Sequence, residues 1–428
     1  MTTIASARLA LTGLAGAMLL SALGAGITNV GLPALAQAFG ATFPQVQWVV
    51  LAYLLAVTVL VVPAGRLGDR FGHRRVLLGG IALFGAASGV GTLAPTLGWL
   101  VAARALQGAG SAVLVALTLA LVAQAVPKAR VGSAMGLLGT VTALGTALGP
   151  ALGGVLVAGF GWRALFWAPL PLALLALMLV SRLPVERGAT APARRGSLGM
   201  LRDAPALAAG LAISLLVSCV VMATLVIGPF HLAGALGLDA ARSGLVMACG
   251  PLVAALVGWP AGRLVDRWGA GRMLRVGLGA MAAGCATLAL APLSWGVAGY
   301  VLPLMLTTAG YALVQAANNT AVMADAAAER RGQVSGLLGL SRNLGLVAGT
   351  SLMGAVFMLG TGGADPAVAS PQAVAAGMQA AFALATLLAL AAWGISRATT
   401  TGTASTPPSA GCRTTLPAAP SRARGPGA

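Results

Sequence analysis

The chain has 428 residues, of which 58% are hydrophobic and 8% charged, with a mean hydropathy of +0.92. An apolar fraction of this size exceeds what a water-soluble core holds, so the sequence is that of a membrane protein. The formal net charge of +18 does not indicate nucleic-acid binding, because the basic residues are segregated along the chain instead of forming one basic surface.

Stretches of about 20 mostly apolar residues, the length that crosses a hydrocarbon core of roughly 30 Å, predict twelve spans. In the first half they are 9–30, 46–64, 76–94, 97–123, 132–158 and 163–182; in the second, 207–229, 243–261, 273–291, 296–323, 333–359 and 373–396. Segments this long in lipid must be helices, since lipid satisfies no free backbone groups. The expected fold class is therefore an all-α polytopic membrane protein. Arg8 stands alone ahead of an apolar stretch longer than a signal-peptide core, with no convincing cleavage site, so the first span is read as retained.

Of the 26 Lys and Arg residues, all but Arg104, Arg163, Arg242 and Arg342 fall at the N-terminus, in alternate loops or in the C-terminal tail. This positive-inside bias places both termini in the cytoplasm, with the excess charge facing anionic lipid headgroups. Cys219, Cys249 and Cys285 lie in separate spans and Cys412 in the tail, which reads as small buried hydrophobes and no disulfide framework. His-Glu-x-x-His, Cys-x-x-Cys and phosphate-loop patterns are all missing from the sequence. No enzyme, cofactor or metal is expected.

Two segments recur. GRLGDRFGHRRVLLGG from Gly65 returns as GRLVDRWGAGRMLRVG from Gly262, 197 positions later, and RVGSAMGLLGTVTALGTALG from Arg130 pairs with RGQVSGLLGLSRNLGLVAGT from Arg331, its Gly-Leu-Leu offset by 200. Two matches at nearly one offset divide the chain into a six-helix half (1–182), a polar linker (183–206), a second six-helix half (207–396) and a Thr-, Pro-, Ala- and Ser-rich tail (397–428) expected to be disordered.

Polar side chains inside the spans are the candidate functional residues, because they are expensive in lipid. Span one carries Asn29 ahead of Pro33. Span four has Arg104, Gln107, Ser111 and Thr118 at helical spacing on one face, and span ten repeats the arrangement with Thr308, Tyr311, Gln315 and Asn318. Arg104 is expected to face an aqueous cavity or a partner, with snorkelling to the interface as the alternative. Arg342 lies in span eleven. Span five places Gly145, Gly149 and Gly153 on one face for close helix approach, with Gly154 beside them and Pro150 permitting a bend.

On these motifs the chain resembles the major facilitator superfamily over about residues 9–396, and within it the bacterial drug:proton antiporter branch. The loop after span two matches the superfamily's gating pattern at Gly65, Leu67, Asp69, Arg70, Gly72, Arg74 and Arg75, and the second copy matches at Gly262, Asp266 and Arg267. The resemblance implies that Asp69 latches the cytoplasmic side to the start of span eleven near Gly332, where a helix N-terminus favours a carboxylate. It also implies that spans one, four, seven and ten line a central cavity, and that GTALGPALGG is an antiporter signature. The implied function is secondary-active export of drugs or small organic molecules in exchange for protons by alternating access, by a monomer in the bacterial inner membrane.

One departure matters. Gly24 stands where that branch usually has an Asp in span one, and none of the eight acidic residues lies deep in a span. Proton transfer then falls to Asp69, Asp325 or a histidine such as His231, or transport is uncoupled. A cavity with Arg104 but no acid favours neutral or anionic solutes over cations. A non-transporting receptor or scaffold is the remaining alternative.

Overall fold

Lipid-length helices account for nearly all of the chain that the computed structural model describes, namely residues 4–125, 131–183, 205–324, 331–366 and 368–402. Glu186, Asp203, Asp325 and Glu329, most of the predicted linker, and the tail beyond 402 lie outside the described residues. Among the described residues twelve helices are long and apolar enough to span: Leu11–Phe39, Phe43–Phe71, His73–Thr92, Leu97–Val122, Leu137–Phe160 and Ala164–Ser181, then Pro205–Ala235, Ala240–Trp268, Ala270–Leu290, Leu293–Ala324, Gln333–Gly360 and Pro371–Ala398. No strand occurs among the described residues. The helix of span twelve continues to Gly402, past the expected boundary at 396, so the first residues of the predicted tail are helical.

Span one ends later than its apolar run suggests. A 3-10 turn at Asn29–Gly31 leads into a short helix, Leu32–Phe39, and Pro33 sits in its first turn, where a missing N–H breaks no bond. Span five stays helical through Pro150; the bend that this proline permits does not interrupt the helix. Two single-glycine turns join spans two to three and eight to nine, at Gly72 (φ 92°) and Gly269 (φ 83°). That left-handed backbone requires glycine, which is why both copies of the loop motif carry one there.

The halves repeat one packing scheme. Spans two and four, three and four, one and five, one and six, and three and six adjoin in the first half, and the spans six places later adjoin in the second. Glycines set the closest approaches: a Cβ on Gly110 would stand 2.8 Å from the Gly80 carbonyl oxygen, and one on Gly310 2.7 Å from that of Gly277.

Between the halves, span five packs on span eight and span two on span eleven. One apolar cluster includes Val30, Leu35, Phe43 and Val46 of the first half with Val226, Phe230, Met353 and Phe357 of the second, all at the end opposite the basic loops. At the basic end two smaller clusters each belong to one half, around Leu77, Leu121 and Val180 in the first and Leu207, Val322 and Leu338 in the second, and the shared cluster reaches that end through second-half residues such as Val265 and Met273. Among the described residues, the apolar packing that joins the halves therefore lies at one end.

Candidate functional site

At the basic end, Asp69 is exposed and its Oδ1 lies 3.2 Å from His73 Nε2, one turn along. Asp69 thus pairs one turn along its own segment; the expected partner at the start of span eleven, near Gly332, lies outside the residues whose side chains are described. Asp266 is exposed, and Ala270 occupies the position equivalent to His73. Arg74 donates to the carbonyl oxygens of Val180, at 3.3 Å, and of Ser181, satisfying free carbonyls at the end of span six. Arg75 is exposed. Arg70 lies over the Phe71 ring at 5.2 Å, Arg267 near Trp268 at 6.0 Å and Arg263 over Trp259 at 3.7 Å, forming an aromatic and basic rim. Gly65 and Gly262 have open space where a Cβ would stand.

The stripe of span four turns inward to its own half. Arg104 is 1% exposed, which rules out snorkelling in this conformation. Its Nε donates to the Val49 carbonyl oxygen at 3.0 Å, and one terminal nitrogen donates to the carbonyl oxygen of Gly24 at 3.1 Å and to Gln107 Oε1. Its guanidinium lies 4.3 Å over the Tyr53 ring. Gln107 in turn donates to Ser88 Oγ at 2.8 Å, and Tyr53 donates to Ser111, which bonds Ser21 at 2.6 Å. Thr118 is fully buried below them. The cation is held by dipoles and one aromatic face, with no carboxylate at Gly24; the ring of Phe84 fills the space there, 2.6 Å from where a Cβ at 24 would stand. These hydrogen bonds to a charged group offset part of the several kcal/mol of desolvation that burial of an ion costs, and the second terminal nitrogen, Nη2, is buried with no partner among the described residues.

Span ten divides its stripe. Asn318 is buried and donates to the Gly210 carbonyl oxygen of span seven at 2.9 Å, and Thr308 bonds back to Leu304. Tyr311 and Gln315 are half-buried and bonded to each other at 3.0 Å. Arg342 is exposed on span eleven, and Asn29 is buried in the seal.

Span five's glycines face two partners. Cβ atoms on Gly145, Gly149 and Gly153 would meet span one at Ala22 (2.7 Å), Ile27 N (3.1 Å) and the Ile27 carbonyl oxygen (2.5 Å). A Cβ on Gly154 would point the other way, 2.9 Å from the Gly244 Cα of span eight, and one on Gly244 would stand 2.4 Å from the Pro150 carbonyl oxygen. Gly345 and Gly349, 200 positions after Gly145 and Gly149, pack on Leu215 and Cys219 of span seven in the same way.

The seal itself was not among the sequence expectations. Phe43 lies between Phe230 at 4.8 Å and Phe357 at 5.2 Å, its backbone N–H donates to Asp365 Oδ2 at 3.0 Å, and Gln47 Nε2 donates to the Thr350 carbonyl oxygen at 3.1 Å. A carboxylate thus caps the N-terminus of span two from the other half. The start of this helix was legible, since Thr42 with Gln45 three residues on is a capping pattern, and Gln45 Oε1 accepts from Thr42 N at 2.9 Å. Asp365 carries no such signal.

Two pseudo-equivalent six-helix halves, sealed at one end and carrying paired loop motifs at the other, define a polytopic transporter fold. The chain belongs to the Major Facilitator Superfamily, whose family profile matches residues 14–350. It is 26% identical over 389 residues to the riboflavin transporter RibZ of Clostridioides difficile (strain 630), covering 79% of this chain and 85% of that one. It is 36% identical over 173 residues to the multidrug resistance protein Stp of Mycobacterium tuberculosis, covering 40% and 32%. Among solved structures, a bacterial homologue of the human lysosomal transporter Spinster, in an inward-facing, unoccupied conformation, superposes with a TM-score of 0.76 at 16% identity, over 92% of this chain and 98% of that one.

Proposed function

We propose that this transporter is a secondary-active exporter of drugs or other small organic molecules, working by alternating access in exchange for protons across a bacterial inner membrane. The basic end faces the cytoplasm and anionic headgroups, with both termini on that side. The observation that carries this reading is the one-sided closure: the seal of Phe43, Phe230, Phe357, Asp365 and Gln47 shuts the outer end, while at the cytoplasmic end the two smaller described apolar clusters each contain residues of one half only. In the opposite conformation the seal opens and Asp69 leaves His73 for the start of span eleven. The glycine seam around Pro150 and the similarity to a protein named for multidrug resistance support export. Tyr311 and Gln315, half-buried on span ten, are the side chains best placed to touch a solute.

A second reading has its own support. All four described acids, Asp69, Asp239, Asp266 and Asp365, stand at span ends, and Arg104 is buried without a carboxylate. That charge balance favours neutral or anionic solutes over cations. Efflux of cationic, neutral and anionic compounds from proteoliposomes, with and without an imposed pH gradient, separates the readings. Loss of all efflux on collapse of the gradient supports proton exchange; gradient-independent efflux refutes it; and a receptor or scaffold moves nothing.

A further inference from the structure

Five buried side-chain atoms at the sealed end have no hydrogen-bond partner among the described residues: Thr28 Oγ1, Asn29 Oδ1, His231 Nδ1, Ser243 Oγ and Tyr300 Oη. Two of them belong to one pair. The rings of His231 and Tyr300 stack at 5.8 Å with 28° between planes, and the residues are 4% and 2% exposed. Gly228 makes room for the pair, since a Cβ there would stand 2.5 Å from Tyr300 Oη. Span seven is wound as π-helix on both sides, at Ala223–Ile227 and His231–Ala235, a geometry that recurs at functional sites. Phe230, the residue just before His231, packs on Phe43 in the seal.

Among the described residues, none forms an ion pair with the His231 ring. Span ten presents the Tyr300 ring, and next to Gly234 lie the Val374 side chain of span twelve and the Pro366 carbonyl oxygen. In the first turn of span eight, Asp239 and Arg242 pair with each other at 3.6 Å. The Asp365 carboxylate accepts from Phe43 N.

We infer that His231 is a proton-binding site of the outer gate. The ring is neutral while the end is sealed and takes a proton from outer water when the seal parts and Nδ1 is hydrated. Closing returns the proton to the same side. His231 therefore biases the gate without carrying protons across, and the inference rests on alternating access but not on proton exchange. Protonation of the open form alone raises the open-to-sealed ratio as pH falls through the ordinary imidazole range near 6.5. By linkage the rise is about tenfold between pH 7.5 and 5.5.

The test uses spin labels at Ala38→Cys and Gln372→Cys, one on each half at the outer end, in the full chain with Cys219, Cys249, Cys285 and Cys412 replaced by serine. Distances are measured in lipid nanodiscs at both pH values. The expected result is a roughly tenfold rise in the ratio of long to short distances at pH 5.5, abolished in both His231→Gln and His231→Phe. An unchanged rise in those variants overturns the inference. So does a flat response in the parent when Phe43→Ala, the control that weakens the seal, lengthens the distances. If neither acid nor Phe43→Ala lengthens them, the inference and the alternating-access reading fall together.

Discussion

Phe43→Ala tests the seal most directly. The side chain is fully buried, and both of its aromatic neighbours, Phe230 and Phe357, belong to the other half. Complete burial makes such a truncation worth about 3–5 kcal/mol in a core. Part of that packing lies within the first half and survives opening, so it does not bias the equilibrium. Two aromatic pairs at about 0.5–1.5 kcal/mol each, with the apolar area they cover, leave roughly 2–3 kcal/mol specific to the sealed form. The open-to-sealed ratio should then rise about 30- to 150-fold. Impermeant maleimide labelling of Val46→Cys, a position fully buried in the seal, reads this in a chain whose native cysteines are replaced. Labelling that stays at the parent rate would refute the reasoning, because it would mean that Phe43 is equally buried in both conformations.

Asp365→Ala removes the acceptor at the start of span two and should shift the same equilibrium in the same direction by roughly fivefold, about 1 kcal/mol for a partly buried bond, read by the same labelling. Gly154→Val forces spans five and eight apart at the Gly244 contact and should abolish transport while raising outer accessibility; transport at the parent rate would show that the contact is not needed for closure. Asp69→Asn should impair efflux more than Asp266→Asn, because Asp69 has His73 as a switchable partner where the second copy has alanine, and equal impairment would contradict that ranking. Gly24→Asp should lower the melting temperature through collision with Phe84, at about 1–3 kcal/mol for overpacking. Adding Phe84→Ala should recover part of the loss by letting the new carboxylate reach Arg104, and a single variant as stable as the parent would sink that argument.

Much of the architecture was legible because lipid imposes it. A span must be long, apolar and helical, so all twelve appear in the hydropathy, and the spans one and seven run further only because the 3-10 and π-helical turns at Asn29–Gly31 and His231–Ala235 continue helices past their apolar cores. The two-fold repeat was legible because each half solves the same packing problem, with Gly145 and Gly345, or Gly72 and Gly269, in the same local roles. Periodicity also placed Arg104, Gln107, Ser111 and Thr118 on one face. It could not say what that face meets, since a helical stripe has a direction only relative to its neighbours. Tertiary structure turned it towards Gly24, Val49, Tyr53 and Ser88. The seal was beyond the sequence for the same reason: Phe43 with Asp365 and Gln47 with Thr350 are separated by some 300 positions, and only the docking of one half on the other brings them together.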